Sequence, residues 1–137
     1  MSDFSKYVVK DYTFWHVAVH PNQSYLGRCV VWCKREDALD LADATKEEQE
    51  ELFIILHDLR EASQKAFQPD LFNYAFLGNI ERHLHGHFIP RYSSHRTFHG
   101  RFFTDERWGQ NYQPDESFEV TKDLWEAVRS KLLEFLK

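Results

Sequence analysis

The sequence predicts an α+β domain: an antiparallel β-sheet with one long helix packed across it and a second helix at the C-terminus. Three observations predict it. Residues 12–19 and 27–34 are rich in β-branched and aromatic residues and are separated by turn formers. Residues 45–67 carry apolar side chains at helical spacing. Residues 82–90 set histidines at alternate positions, the period of a strand. Strands first, a helix between hairpins and a helix last form the segregated order of an α+β domain.

The elements follow in chain order. "YTFWHVAV" (12–19) and "GRCVVWCK" (27–34) flank "HPNQSYL", whose Pro21, Asn22 and Ser24 favour a turn, so a hairpin is expected. "EDALDLAD" (36–43) is long enough for a helical turn or two. In the helix 45–67, Thr45 and Glu48 form a capping box, and Glu47 and Glu48 suit the positive end of the helix dipole. Its buried stripe is Leu52, Ile55, Leu56, Leu59, Ala62 and Ala66, and Pro69 ends it. "LFNYAFLGN" (71–79) and "RHLHGHFIP" (82–90) read as strands, paired antiparallel across a short link, with Pro90 as the stop. Residues 91–118 are polar and aromatic with little period. A last helix starts at Thr121, with Leu124, Val128, Leu132 and Phe135 inward. The whole of 1–137 reads as one domain, with a core over about 12–112 and the C-terminal helix over about 121–136.

Composition narrows the function. The chain has 137 residues, is 42% hydrophobic and carries a net charge of -5, with Lys and Arg scattered. A folded core is expected, and a basic face for coating a nucleic-acid polymer is not. No apolar run approaches the roughly 20 residues that span a bilayer, and the N-terminus is too polar for a signal peptide. On a strand, Cys29 and Cys33 have Cα atoms about 13 Å apart, beyond the ~7 Å limit for a disulfide. A reduced, cytoplasmic protein is expected.

The chemistry concentrates in "HLHGHFIPRY" (83–92). On a strand, His83, His85 and His87 project from one face, with the outer pair about 13 Å apart at Cα. Leu84, Gly86 and Phe88 point the other way, and Gly86 implies close approach of another element behind the sheet. Three readings compete: three structural histidines; a zinc site with a further ligand from elsewhere; and phosphate chemistry. In the last, a neutral imidazole attacks phosphorus while its other nitrogen donates to a carbonyl. The flanking rings hold phosphate oxygens and assist the leaving group. Three rings in a row diverge too far to close a tetrahedron unaided, and the spacing suits phosphate chemistry best.

"HLHGHFIPR" resembles the histidine-triad (HIT) signature, three histidines alternating with mostly apolar residues, with its common trailing "IPR". The likeness extends to "NQSYLGRCVVWCKRE", "DLADATKEEQEELF" and "FNYAFLGN", and covers most of residues 13–110. It implies a HIT-like fold and a homodimeric nucleotide hydrolase or transferase. Such a protein cleaves at the α-phosphate of an adenosine-type (poly)phosphate or phosphoramidate through a nucleotidyl-histidine intermediate, without a metal or other cofactor. The resemblance makes His85 the nucleophile, His87 the contact to phosphate and leaving group, and His83 the residue that orients the site. Asn79 and Asn73 fall at or near polar phosphate contacts, and Gly27 at the glycine that begins the second strand of the nucleotide pocket.

The sequence also departs from the pattern. Arg28 stands where a supporting histidine is common, as a bidentate phosphate contact or as a solvated surface residue. His20 stands at the ribose-contacting position, Gly86 replaces a bulkier residue, and "KRE" (34–36) lacks a histidine often found there. Arg28 and Gly86 support the alternative of a nucleotide-binding module without turnover. His16 reads as structural, His57 as structural or exposed, and His95 and His99 as surface residues. Trp108 is a candidate lid or dimer contact.

Overall fold

The computed structural model describes residues 5–137. After a 3-10 turn at Ser5–Tyr7 come β1 (Val8–Asp11), β2 (Trp15–Val19) and β3 (Cys29–Cys33). Helix α1 (Lys46–Phe67) leads into β4 (Leu71–Ala75) and β5 (His85–Arg91). A small hairpin, β6 (Arg96–Phe98) and β7 (Arg101–Phe103), precedes α2 (Lys122–Phe135). The main sheet has the order β1-β2-β3-β5-β4, antiparallel at every junction. The fold is the α+β architecture expected, with an additional outer strand, β1.

Register decides which residues share a face. His85 lies opposite Trp32, and His87 lies opposite Val30 and Ala75. Trp32 in turn lies opposite His16 on β2. Alternation therefore puts His16, Trp32, Val30, His85 and His87 on one face, and Val17, Val31, Gly86 and Phe88 on the other. The second face is the core. Val17, Val19, Cys29, Val31 and Phe88 are buried there against Leu52, Ile55, Leu59 and Ala62 of α1 and Leu124, Val128 and Leu132 of α2. Both helices thus cover one side and leave the histidine side to loops.

The helix starts as its sequence dictates. Thr45 caps α1 through the Glu48 backbone N–H, and the Glu48 side chain accepts from the Thr45 N–H in return. Gln68, in the left-handed region at φ 49, ends the helix one residue before Pro69. Residues 36–43 form only a 3-10 turn at Leu41–Asp43, capped by Asp40.

Four expectations need correction. Strand 71–79 ends at Ala75, because the chain turns away through Gly78 at φ 69. The triad strand begins at His85 rather than at 82: Leu84 leaves the ladder, its N–H bonded to Ala38 and its carbonyl to Cys33. Pro90 does not stop the strand. Pairing between β3 and β5 ends at Phe88, so Pro90 has only β4 beside it, where a missing N–H is tolerated. Finally, 91–118 holds the β6–β7 hairpin, turning at His99 and Gly100, both with positive φ.

One buried ion pair fastens the rest of that segment. The Arg91 Nε donates to Asp105 at 2.7 Å, with side chains 3% and 1% exposed. The same guanidinium donates to the carbonyls of Arg107 and Gln110 and to Asn73 Oδ1. Breaking such a pair strands a buried charge, at a cost of about 3–5 kcal/mol. We expect Asp105→Ala to lower the unfolding free energy by about that amount in urea titrations. A change under about 0.5 kcal/mol, the range of a surface substitution, would mean that the pair does not anchor the segment.

Candidate functional site

On the open face the three histidines differ in their bonding. His85, 7% exposed, shares a hydrogen bond of 2.7 Å between its Nδ1 and the carbonyl of His83. The carbonyl can only accept, so Nδ1 carries the proton and Nε2 carries the lone pair. His83 lies just outside β5 but its ring reaches the same face, with Nε2 donating to the Cys33 carbonyl at 2.6 Å. The indole of Trp32 lies beneath both rings: its centroid is 4.6 Å from His83 and 5.3 Å from His85, with interplanar angles of 17° and 27°. Stacking and hydrogen bonding together fix the two orientations.

His87 stands edge-on to His85 at 5.2 Å between centroids, and 5.7 Å from His20. Its Nδ1 faces the Arg28 Nη2 at 3.3 Å. A guanidinium can only donate, so His87 holds its proton on Nε2, the tautomer opposite to that of His85. Burial first, then the Arg28 charge and then His85, push the His87 imidazolium down to about 4. Burial, then Arg28 and then His87, push His20 down to about 2. Arg28 itself is buried, its guanidinium 5.8 Å above the ring of Tyr112. Burial lowers its pKa too, while Tyr112, Glu116 and Tyr25 act in the other direction. The solvated-surface reading of Arg28 is therefore corrected.

His83, His85, His87, Arg28 and His20 are brought together. Asn73 is turned to Arg91, which holds its Oδ1 at 2.7 Å. Asn79 is exposed on the 76–84 connection. Gly27, at φ 87, serves a tight approach: a Cβ there would meet the Phe67 ring at 2.9 Å and Pro90 at 3.4 Å. Gly86 has the same kind of reason, since a Cβ would run into the ring of Phe76. His16 bonds to Asp11, and His57 lies beside Glu61 on the exposed side of α1. Among the described residues, no group of three or more His, Cys, Asp or Glu side chains is placed to hold a metal ion. A cavity of about 80 Å³ beside His83 and His85, rimmed by Leu39, Leu41 and Leu77, has room for a small group. Drug-sized ligands need a few hundred Å³, more than this cavity offers.

No family model and no curated protein matches this sequence. Solved structures do. A histidine triad protein from Bradyrhizobium japonicum is 22% identical, with a TM-score of 0.73 over 95% of this chain and 90% of that one. The chain has the histidine-triad fold. Another histidine triad protein, from Marinobacter aquaeolei, is 22% identical with a TM-score of 0.70, over 94% and 87%. A hypothetical histidine triad nucleotide-binding protein from Sulfolobus tokodaii is 18% identical with a TM-score of 0.69, over 93% and 81%.

On this histidine-triad fold, three contributors to the site escaped the sequence. Trp32 is identified only by the β3–β5 register, although its position four residues after Arg28 hints at a shared face. Tyr112 and the Arg91–Asp105 pair depend on a loop path that no periodicity encodes.

The depressed histidines make stability depend on pH. Near pH 6.5 the unfolded chain takes a proton on His20 and His87 that the folded protein refuses until about 2 and about 4. More protons are then bound unfolded than folded, so stability falls as pH falls below about 6.5. Each group contributes a slope of at most about 1.4 kcal/mol per pH unit. The His87 contribution flattens below about 4. Chemical denaturation between pH 7.5 and 4.5 should show a shallower decline in His87→Asn than in wild type. Parallel curves would contradict the buried, neutral state of His87.

Proposed function

We propose that the protein is a nucleotide phosphohydrolase or nucleotidyl transferase acting at an α-phosphate through a nucleotidyl-histidine intermediate. The observation that carries this reading is the His85–His83 hydrogen bond, which presents the His85 Nε2 lone pair on the open face. A neutral imidazole so oriented is a nucleophile that needs no separate base. Nε2 attacks phosphorus, the bond to the leaving group breaks, and its electron pair departs with the leaving atom. Water then attacks the same phosphorus, the P–N bond breaks, and its electron pair returns to Nε2. His87 donates to phosphate oxygens and Arg28 supplies positive charge behind it. His83 positions the nucleophile through its carbonyl and its stack on Trp32. His20, Gly27, Asn73 and Asn79 remain proposed binding residues, with His20 nearest His87.

The substrate class is an adenosine-type nucleotide, and residues 1–137 act as one HIT-like domain in the cytoplasm. No helix among the described residues is long and apolar enough to cross a membrane. A homodimer is part of the proposal. What supports it is the outer position of β4, which carries exposed Leu71 and Tyr74, with exposed Phe53 of α1 lining a shared cavity with Tyr74. Wild type should scatter light as a dimer at micromolar concentration, and Tyr74→Lys should shift it toward monomer. A monomeric wild type would remove the dimer from the proposal.

The decisive test is chemical. His85→Ala should abolish AMP release from a panel of AMP esters and anhydrides while leaving AMP binding within a few-fold, because binding rests on several groups and bond making on one. His83→Ala and His87→Ala should lose smaller factors, on the order of the ~10² to 10⁴ of positioning and acid–base groups. Quenched incubation of wild type with substrate should show AMP on His85 as an acid-labile adduct. Undiminished turnover in His85→Ala would refute the mechanism. AMP binding without turnover in wild type would make the protein a nucleotide-binding module.

A further inference from the structure

Arg28 has surroundings unlike those of an ordinary structural arginine. It is 5% exposed, yet none of the ion pairs among the described residues involves it, and its Nε is buried without a hydrogen-bond partner. Its polar contact is the His87 Nδ1 at 3.3 Å, and Tyr112 covers its face. A guanidinium cannot release its proton at working pH, so this contact is always a donation into His87.

That fixes what His87 can do. With Nδ1 accepting, the ring's one proton sits on Nε2, the nitrogen left for a ligand. A second proton could be taken up only on Nδ1, against Arg28. The other titratable rings facing His87 are His20, after β2, and His85, on its own strand. No carboxylate faces it within ion-pair distance among the described residues. His87 therefore donates a hydrogen bond but holds no proton in excess. Handing over its only proton would leave an imidazolate. Departing oxygens that are stable as anions, on phosphate, sulfate or carboxylate, need only the hydrogen bond. An amine departs neutral and needs a proton on its nitrogen before the P–N bond breaks. A phenol of low acidity needs similar help.

We infer that Arg28 is a positioning residue that makes His87 a neutral hydrogen-bond donor rather than an acid, and that the site is thereby built for nucleotides whose leaving group departs as an anion rather than as an amine. The inference rests on the nucleotidyl-histidine reading and names its substrate class: mixed anhydrides and acidic esters of AMP, not phosphoramidates. In the first step the P–O bond breaks, its electron pair leaves on oxygen, and no proton moves. In the second, water attacks phosphorus, the P–N bond returns its pair to His85, and the water proton passes to solvent.

The test uses the full chain, a series of AMP aryl esters of graded phenol acidity, and adenosine 5′-phosphoramidate. In wild type, log kcat/KM, which reports the step that breaks the P–O bond, should climb steeply as the phenol becomes more acidic, because departure is unassisted. The phosphoramidate should lag the p-nitrophenyl ester by at least about 10²-fold, the lower end of what a general acid is worth. Arg28→Lys keeps the charge and should keep the gap. Arg28→Gln keeps an N–H for Nδ1 but removes the charge, so it should narrow the gap by about tenfold and flatten the aryl slope. A purely structural Arg28 would lower both rates together and leave their ratio unmoved. If Arg28→Gln fails to fold, the wild-type slope still decides. A flat wild-type slope, equal rates on amidate and ester, or a ratio unmoved in a folded Arg28→Gln protein would overturn the inference while leaving the nucleophile in place. Absence of turnover and of the AMP–His85 adduct across the whole series would overturn the reading of the site, and this inference with it.

Discussion

A slip of one residue between β3 and β5 would send His85 and His87 into the helix face and bring Gly86 and Phe88 out to solvent, since side chains alternate strictly along a strand. The register is held from both sides. On the core face, Phe88 is fully buried in the helix-covered cluster, and the ring of Phe76 lies over Gly86 where no side chain fits. On the open face, Trp32 lies opposite His85 and stacks on it. The exit at Leu84 depends on the same pairing, and that exit aims the His83 carbonyl at His85. Packing on one side of the sheet thus sets a tautomer on the other.

What was legible in the sequence divides along the same line. The capping box at Thr45 and the stripe from Leu52 to Ala66 are local, built from residues three or four apart, and can be read without knowing any other segment. The alternation of His85 and His87 is equally local. His83 lies off the strand because Leu84 bonds to Ala38 and Cys33, dozens of residues away, and no local pattern encodes that. Pro90 is of the same kind: whether a proline ends a strand depends on whether a neighbour needs its N–H. Arg28 shows the limit most clearly. Its residue type allowed either a phosphate contact or a solvated side chain, and only burial under Tyr112 and against His87 separates these.

The electrostatics of the open face follow from what is absent beside the cation. Arg28, His87 and His20 lie within a few ångströms, and neither Arg28 nor His87 forms an ion pair with a carboxylate among the described residues. Removing a guanidinium from water is costly, and a stack on Tyr112 with a neutral imidazole offsets only part of that cost. The two histidines respond by staying neutral, as their depressed values record. The face therefore holds one fixed positive charge, two uncharged rings and a lone pair. Such an arrangement favours an anionic ligand.

Arg91 and Arg28 lie on the same face and have opposite fates. Arg91 is fully satisfied, by Asp105, by Asn73 and by two carbonyls of the 105–110 turn. Its role is anchorage: it holds the segment that carries Tyr112, which Tyr25 also fastens through its hydroxyl and the Gln113 N–H at 2.9 Å. Tyr112 covers Arg28, and the cover keeps water from replacing the contact between Arg28 and His87. Desolvation strengthens that contact and suppresses a second proton on His87. The buried ion pair thus holds the segment that carries the Arg28 cover, through a loop whose composition gives no periodic signal. One arginine spends its charge on holding the fold closed, and the other, without an ion-pair partner among the described residues, turns it toward His87.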